Sequence, residues 1–351
     1  MSYTNGLDKP SDYFDTVIYS GNGGTQSITS LDFQPDFLWG KQRNEAQNNR
    51  LIDSVRGNTK EIFSDLTTAE QTLTNGITAF NSNGFGLGSS NGYNKNSGTY
   101  VTWNWKAETS FTNDASATGI GTIDSTGSVN TDAGFSIISW TGDGNNGATI
   151  AHGLGVTPAI VITKRRSAVG DWLVGGSTIN TAGGGSNKLL LLNTSAAIDT
   201  NSEVYQTFSS TTFQVGVNAY ANTSGSTMIS YCFAEKSGYS SMGQYTGNGN
   251  ADGTFVYTGF KPAWVLTKKT SGTSSWIMMD NKRNTYNVMN KFLDAYDAGA
   301  EGSLDSFDFL SNGFKLRTSN GDRNASGDTY IYACFAENPF VTSTGVPATA
   351  R

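Results

Sequence analysis

Histidine and cysteine are nearly absent from this chain, which has one His and two Cys among 351 residues. Zinc sites and Ser-His-Asp triads need several such side chains brought together by the fold. His152 has no recognisable second ligand or catalytic partner near it in the sequence, and we expect it at a strand end or in a loop. The composition therefore predicts no metal, no cofactor and no catalytic residues.

Charge is also scarce, because Lys, Arg, Asp and Glu make up 15% of the residues and the net charge is −6. Nucleic-acid-binding proteins present a cationic surface to the phosphates, so nucleic acid is not an expected partner. No apolar run approaches the ~18 residues of a membrane span, and the first twelve residues are too polar for a signal-peptide core. We expect a soluble protein without membrane insertion.

Small uncharged residues are abundant instead, since Gly, Ser, Thr and Asn account for 157 of the 351 residues. Such a bias is typical of disorder, but the 12% of aromatic residues provides burial that disordered chains lack. Short β-branched and aromatic runs such as 15–19 and 134–140 end in Gly-Asn or Gly-Asp, which predicts strands. We predict an all-β fold in which 49–63 and 285–296 are the best helix candidates.

Four landmarks recur three times in the same order, which indicates an internal repeat. The first is an aromatic residue before a turn of Gly-Asn-Gly type, at Tyr19, Trp140 and Tyr245. The second is a proline followed six residues later by a lysine, at Pro35–Lys41, Pro158–Lys164 and Pro262–Lys268. The third is a short strand containing Phe85, Phe213 or Phe314. The fourth is a Ser-Gly turn and a closing strand that ends at Trp105, Phe233 or Phe335.

The repeats define the expected domain organisation. We predict an N-terminal arm at 1–12, repeat 1 at 13–107, a linker at 108–133, repeat 2 at 134–236, repeat 3 at 237–340 and a C-terminal tail at 341–351. Each repeat is close to a hundred residues long, which suits a small β-sandwich. The chain is therefore predicted to contain three tandem related β-sandwich units.

Two sequence features are compatible with familiar motifs but have simpler interpretations. The glycine pattern Gly142 to Gly147 matches a dinucleotide-binding fingerprint, but no helix pattern follows it, so we predict a hairpin turn. Cys232 and Cys334 occupy equivalent positions in different repeats, and Asn104 stands there in repeat 1. We expect two buried free thiols instead of a disulfide.

Ligand binding is predicted for the loop before each Ser-Gly turn. Tyr93 and Tyr220 stand five residues before the glycine of that turn, and Asp322 and Arg323 take this place in repeat 3. An aromatic ring among Asn, Ser and Gly suits sugar or protein recognition. A tyrosine that packs onto its own loop is the structural alternative.

Carboxylates offer a possible route to catalysis. Asp53, Asp280, Asp305, Glu61 and Glu301 could supply a pair for glycoside hydrolysis, but no spacing singles two of them out. Asn- and Asp-rich turns could also hold Ca²⁺, although no defined calcium loop is present.

Several segments resemble a family of structural proteins encoded by marine tailed bacteriophages. The similar segments start at Tyr245, Pro262 and Tyr330, and two more are Asp53-Ser-Val-Arg-Gly57 and Trp103-Asn-Trp105-Lys-Ala107. The resemblance extends over residues 13–351. It implies lectin-like, jelly-roll (concanavalin-like) β-sandwich repeats and a location in the virion as a tail fibre or other structural protein. It implies no catalytic residues.

The leading hypothesis is a non-catalytic phage virion protein, namely a tail fibre, tail appendage or head decoration. It would act by contact with a host-surface glycan or with neighbouring virion proteins, in a symmetric homo-oligomer. The alternative is a depolymerase that cleaves host surface polysaccharide as a hydrolase or lyase.

Overall fold

The structure is a computed structural model that describes residues 7–341, 344 and 346. Residues 1–6 of the predicted arm and most of the predicted tail therefore lie outside the described residues. The remainder of the arm contains a buried Leu7 and a short 3-10 turn at Pro10–Asp12 that leads into the first strand. The described residues form an all-β fold, as predicted, and contain no helix long and apolar enough to cross a membrane.

Repeat 1 consists of one large and one small antiparallel sheet. Its elements are β1 (Phe14–Ser20), β2 (Gln26–Ile28), β3 (Phe37–Gln42), β4 (Arg50–Asp53), β5 (Lys60–Phe63), β6 (Gln71–Thr72), β7 (Ile77–Asn81), β8 (Gly84–Leu87), α1 (Asn91–Asn94) and β9 (Thr99–Trp105). The large sheet has the order β1-β9-β3-β4-β5-β6, and the small sheet has the order β2-β8-β7.

Residues 108–133, predicted as a linker, form elements of the next sheet. They contain β10 (Thr109–Asn113), α2 (Ala115–Thr118) and β11 (Ser125–Asn130). β11 pairs with β10 on one side and with the first strand of repeat 2 on the other. These strands were hidden because they contain few apolar residues; β10 lies at the edge of the sheet, whereas β11 is paired on both sides.

Repeat 2 has the same plan. Its elements are β12 (Phe135–Thr141), β13 (Ala148–Ala151), β14 (Ile160–Arg165), β15 (Trp172–Gly175), α3 (Ser177–Ala182), β16 (Lys188–Leu191), β17 (Asp199–Thr200), β18 (Tyr205–Phe208), β19 (Thr212–Val215) and β20 (Thr227–Phe233). The large sheet has the order β10-β11-β12-β20-β14-β15-β16-β17, and the small sheet has the order β13-β19-β18.

Repeat 3 joins its two halves into one continuous sheet. Its elements are β21 (Ser240–Thr246), β22 (Phe255–Tyr257), β23 (Phe260–Lys269), β24 (Trp276–Asp280), β25 (Met289–Asp294), β26 (Gly302–Leu310), β27 (Gly313–Leu316), α4 (Gly321–Asn324) and β28 (Thr329–Pro339). The order is β21-β28-β23-β24-β25-β26-β27-β22. The predicted helices at 49–63 and 285–296 are wrong, because β4, β5 and β25 occupy these segments and pair with neighbouring strands.

The Gly-Asn-Gly landmark is an arch between sheets and not the predicted hairpin turn. In repeat 2 it joins β12 of the large sheet to β13 of the small sheet, and no hydrogen bonds pair these two strands. A Cβ on Gly142 would lie 2.3 Å from the carbonyl oxygen of Thr223. The corresponding distances are 2.2 Å for Gly21 and Gly247. Glycine is required there because the closing loop passes directly against the arch.

Successive side chains along a strand point to opposite faces of the sheet, and both faces of each large sheet are covered by apolar packing. One face of each large sheet packs within its own repeat, where separate apolar clusters include Phe85, Phe213 and Phe314. The opposite faces of all three large sheets share a fourth cluster. Equivalent residues of the three closing strands meet there, with ring centroids 6.1 Å apart for Trp105 and Phe233, 5.5 Å for Trp105 and Phe335, and 6.0 Å for Phe233 and Phe335. Trp105 and Phe233 end their strands as predicted, whereas β28 continues past Phe335 to Pro339. Each repeat therefore touches both of the others.

Candidate functional site

Tyr93 lies inside repeat 1, although the sequence predicts it as a ligand-binding ring. The side chain is 3% exposed, its hydroxyl donates to Glu61 Oε2 at 2.7 Å, and the Arg50 guanidinium lies 5.0 Å from the ring centroid. Burial raises the pKa of the Tyr93 phenol well above its ordinary value. The side chain packs onto its own repeat and leaves no ring face for a ligand.

Tyr220 is the accessible residue among the four predicted ones. It is 37% exposed, and the Arg165 guanidinium lies 5.5 Å from its ring centroid. In repeat 3, Asp322 is partly exposed, whereas Arg323 is 2% exposed and places its guanidinium 4.5 Å from the Phe292 ring centroid. The structure places Tyr93 in the short helix α1, Tyr220 in a turn before β20, and Asp322 and Arg323 in the short helix α4, so the four residues are not brought together.

A buried asparagine follows the predicted position in every repeat and holds the loop to the arch. The Asn222 side chain accepts from the Asp143 backbone N–H at 3.0 Å and donates to Asp143 Oδ1 and the Asn145 carbonyl, both at 2.9 Å. Asn94 and Asn324 make the equivalent contacts and are fully buried. These loops are fixed by a structural amide, which the recurrence of Asn before each Ser-Gly turn could have revealed.

Two buried ion pairs lie where one repeat meets the next. Asp53 and Arg56 pair at 2.5 Å (Oδ2 to Nε) with both side chains fully buried, and Tyr231 of repeat 2 donates to Asp53 Oδ2 at 2.7 Å. Asp280 and Arg283 form the same pair in repeat 3, and Trp103 Nε1 of repeat 1 donates to Asp280 Oδ2 at 3.1 Å. In each pair, the buried carboxylate therefore accepts a hydrogen bond from a side chain of another repeat.

The lysine of the Pro-to-Lys landmark makes a third set of contacts between repeats. Lys41 donates to the carbonyl oxygen of Asp297 in repeat 3, Lys164 to that of Thr67 in repeat 1, and Lys268 to that of Ser195 in repeat 2. All three are buried, and burial lowers each pKa from 10.5 to about 8. We call them the cross-repeat lysines. The exact six-residue interval was the signal for them.

Three side-chain N–H groups also donate from one repeat to a carbonyl of another, and two of them belong to the tryptophans paired across the sheet with Lys164 and Lys268. Trp172 Nε1 donates to the Phe63 carbonyl at 2.7 Å, and Trp276 Nε1 donates to the Leu191 carbonyl at 3.0 Å. In the third position Asn49 Nδ2 donates to the Asp294 carbonyl at 3.0 Å. The contacts run from repeat 2 to 1, from 3 to 2 and from 1 to 3, so the three repeats form a closed ring.

The carboxylates considered for hydrolysis are mostly engaged in ion pairs. Asp53 and Asp280 belong to the buried pairs described above. Glu61 pairs with Arg50 at 2.7 Å, and Glu301 pairs with Arg43 at 2.8 Å across two repeats. Asp305 differs, because it accepts only a long 3.4 Å contact from Asn290 at an exposed position.

His152 and the two cysteines have structural positions, as expected. Leu154 N–H donates to His152 Nδ1, Nε2 faces the Ser209 carbonyl at 3.2 Å, and burial lowers the pKa of the imidazole. Cys232 and Cys334 are buried free thiols in separate clusters, which confirms the prediction. Within the described part of the chain, no group of three or more His, Cys, Asp or Glu side chains could hold a metal ion.

A groove of about 1040 Å³ opens where repeat 3 meets repeat 1. Its lining comes from β1, from the start of β23, from the loop between β24 and β25, and from the end of β28. Lys282 of that loop pairs with Asp15 of β1 at 3.3 Å, and Lys261 pairs with Glu337 at 2.7 Å. Tyr286 on the same loop is 84% exposed. We call this feature the seam groove; none of the four predicted residues lines it.

Comparison with known proteins gives one match. The family described as Domain of unknown function (DUF7483) matches residues 9–339. No curated protein and no solved structure matches the chain.

Proposed function

The chain belongs to the DUF7483 family over nearly its whole length, and we propose that it is a phage virion structural protein that acts by contact and without catalysis. It is a tail fibre, tail appendage or head decoration. It binds neighbouring virion proteins or a host-surface glycan, and it assembles as a symmetric homo-oligomer. The resemblance of its repeats to marine phage structural proteins supports this proposal.

The proposal includes a specific fold, namely three tandem β-sandwich units of the jelly-roll, concanavalin-like type. The recurrence of one strand order supports it, because β1-β9-β3-β4-β5, β12-β20-β14-β15-β16 and β21-β28-β23-β24-β25 are equivalent runs of strands. Each run faces its own apolar cluster. The shared aromatic cluster then joins the units into one body.

A role by contact is favoured by the charged side chains that join one repeat to the next. The cross-repeat lysines and the Asp–Arg pairs bind one repeat to the next, as does the Arg43–Glu301 pair. Such networks rigidify a body more than they stabilise it, since burying charge costs free energy. A rigid surface of fixed loops suits repeated contact on a particle.

The test is to locate the protein in particles. Phage purified through a density gradient from a lysate of its host should contain the chain at a fixed copy number by quantitative mass spectrometry. Gold-labelled antibody should decorate one site on intact particles. A protein abundant in the lysate but absent from the gradient fraction would contradict the proposal. Release of new reducing or unsaturated ends from host polysaccharide would favour the depolymerase instead.

A further inference from the structure

The three seams of the ring are filled differently at equivalent positions. In repeat 1, the Asp36 carboxylate occupies this position and accepts from the Ser54 hydroxyl at 2.8 Å and from the Ala107 N–H at 2.8 Å, both within the same repeat. In the seam between repeats 2 and 3, α3 takes this place, and Thr178 donates to the Met242 carbonyl at 3.2 Å. A carboxylate occupies this position in repeat 1, and a helix occupies it in repeat 2.

The seam between repeats 3 and 1 lacks both fillers. Ala263 stands where repeat 1 has Asp36, because each follows the landmark proline directly. The loop between β24 and β25 contains no helix, and its Asn281 N–H bonds to the Ala263 carbonyl at 2.9 Å. The seam groove opens at this place, between the loop and β1 of repeat 1.

The loop that borders the groove is held in place by its own amides. Asn284 accepts from the N–H groups of Asn290 and Lys291 at 3.1 and 2.6 Å. Asn287 donates to the Phe309 carbonyl at 3.0 Å and accepts from its N–H at 2.8 Å. Because the loop is fixed before any ligand arrives, little ordering entropy would be lost on binding.

Other groups on the loop and opposite it remain available. Tyr286 is 84% exposed at the groove. Asn281 Oδ1 has no hydrogen-bond partner among the described residues, although the atom is buried. Asn338, at the end of β28, is exposed in the same lining. An open aromatic face near amide groups is suited to a sugar ring, which has both C–H faces and hydroxyls.

The charge of the lining favours a neutral ligand. Three acidic and two basic side chains contribute, so the formal balance is −1: Asp8, Asp15, Glu337, Lys261 and Lys282. Both lysines are already ion-paired, so no free cationic group is left to select a polyanion. The volume exceeds the roughly 300–1,000 Å³ of ordinary small-ligand pockets, which suits several linked sugar units better than one.

We propose that the seam groove binds a neutral oligosaccharide, with the Tyr286 ring stacked on a sugar face and Asn338 bonded to its hydroxyls. This inference rests on the proposed function, because it names the glycan class and the surface that a contact protein would use. It also moves the binding surface away from the loops that contain Tyr93, Tyr220, Asp322 and Arg323.

The experiment measures binding of purified full-length protein to neutral hexasaccharides of glucose, mannose and galactose in several linkages, with heparin and hyaluronan as charged probes. We expect at least one neutral probe to bind, and Tyr286→Ala and Asn338→Ala each to weaken it at least tenfold. Tyr220→Ala is the matched control, since it removes an exposed tyrosine outside the groove. It should leave the affinity unchanged, and all variants should keep the wild-type urea midpoint.

Several outcomes would overturn the proposal. These are binding of the charged probes alone, binding of none of the probes, and a neutral probe whose affinity Tyr220→Ala reduces while Tyr286→Ala does not. Incorporation into particles is scored separately with the Tyr286→Ala chain. If the Tyr286→Ala variant enters virions but no longer binds sugar, the groove binds sugar and is not needed for assembly. If the wild-type protein binds sugar but never enters virions, the proposed virion role is contradicted and the binding proposal stands.

Discussion

The hydrogen bond from Tyr231 to the buried Asp53–Arg56 pair gives a sharp test of the ring. Tyr231→Phe removes a hydroxyl that donates to Asp53 Oδ2 at 2.7 Å and accepts from Arg56 Nη2 at 3.2 Å. Both charged side chains are fully buried, so water cannot replace the hydroxyl. A hydrogen bond to a charged group contributes about 1.5–3 kcal/mol. We expect the free energy of unfolding to fall by about 2 kcal/mol.

The same change without a charged partner serves as the control. Tyr205 is equally buried, and its hydroxyl donates at 2.7 Å to the neutral hydroxyl of Thr163 inside repeat 2. Tyr205→Phe should cost about 1 kcal/mol, in line with an ordinary hydrogen bond. Urea unfolding followed by tryptophan fluorescence suits both variants, because Trp103 and Trp172 are buried where repeats meet.

A double-mutant cycle then isolates the contact. In a background of Asp53→Leu with Arg56→Met, the Tyr231 hydroxyl has lost both charged partners, so Tyr231→Phe should be neutral or stabilising. The coupling energy should exceed about 1 kcal/mol. An equal cost of Tyr231→Phe in both backgrounds would refute the assignment of this contact between repeats 1 and 2.

Three further predictions concern other features. The cross-repeat lysines have a folded pKa of about 8 against an ordinary 10.5, so between these values the unfolded state binds more protons and stability rises with pH. From pH 8 to 9.5 the free energy of unfolding in urea should therefore increase, by up to about 2 kcal/mol per lysine, and a chain with all three changed to Met should lose the increase. Gly142→Ala should destabilise by several kcal/mol because its Cβ would meet the Thr223 carbonyl at 2.3 Å, whereas Gly321→Ala, with nothing within 4 Å, should leave the thermal midpoint unchanged. Cys232 and Cys334 are buried with raised pKa values, so Ellman's reagent should titrate no thiol in the native protein and two in guanidinium; one fast-reacting native thiol would contradict this.

The sequence predicted the local structure of the repeats well, because the signals are local. The strands at 15–19 and 134–140 lie in β1 and β12, and the apolar run after Pro158 forms the buried central strand β14. The 49–63 segment failed because its polar residues face the neighbouring repeat. Asn49, for example, is buried against a carbonyl of repeat 3. No pattern within one segment reports such a distant partner.

The sequence predicted that equivalent positions in different repeats, such as Cys232 and Cys334, would not meet, and this expectation applies to only one face of the strands. It holds for the cysteines, since Cys232 and Cys334 point into their own clusters. It fails one residue later, because Phe233 and Phe335 point to the opposite face and meet each other. The period of two along a strand places neighbours on opposite faces, but sequence alone did not show that this second face is covered by the other repeats. The seam groove could not be predicted from the sequence for the same reason, since it is formed only where two repeats meet.

The closed ring within a single chain has a consequence for how it can diversify. In a ring of three identical subunits, a substitution in one gene appears at all three interfaces, so an opening that weakens one interface weakens all of them. Here each interface is encoded separately. The α3 helix fills the interface between repeats 2 and 3, while the interface between repeats 3 and 1 leaves the seam groove open. Two interfaces can therefore maintain the body while the third is free to change its specificity.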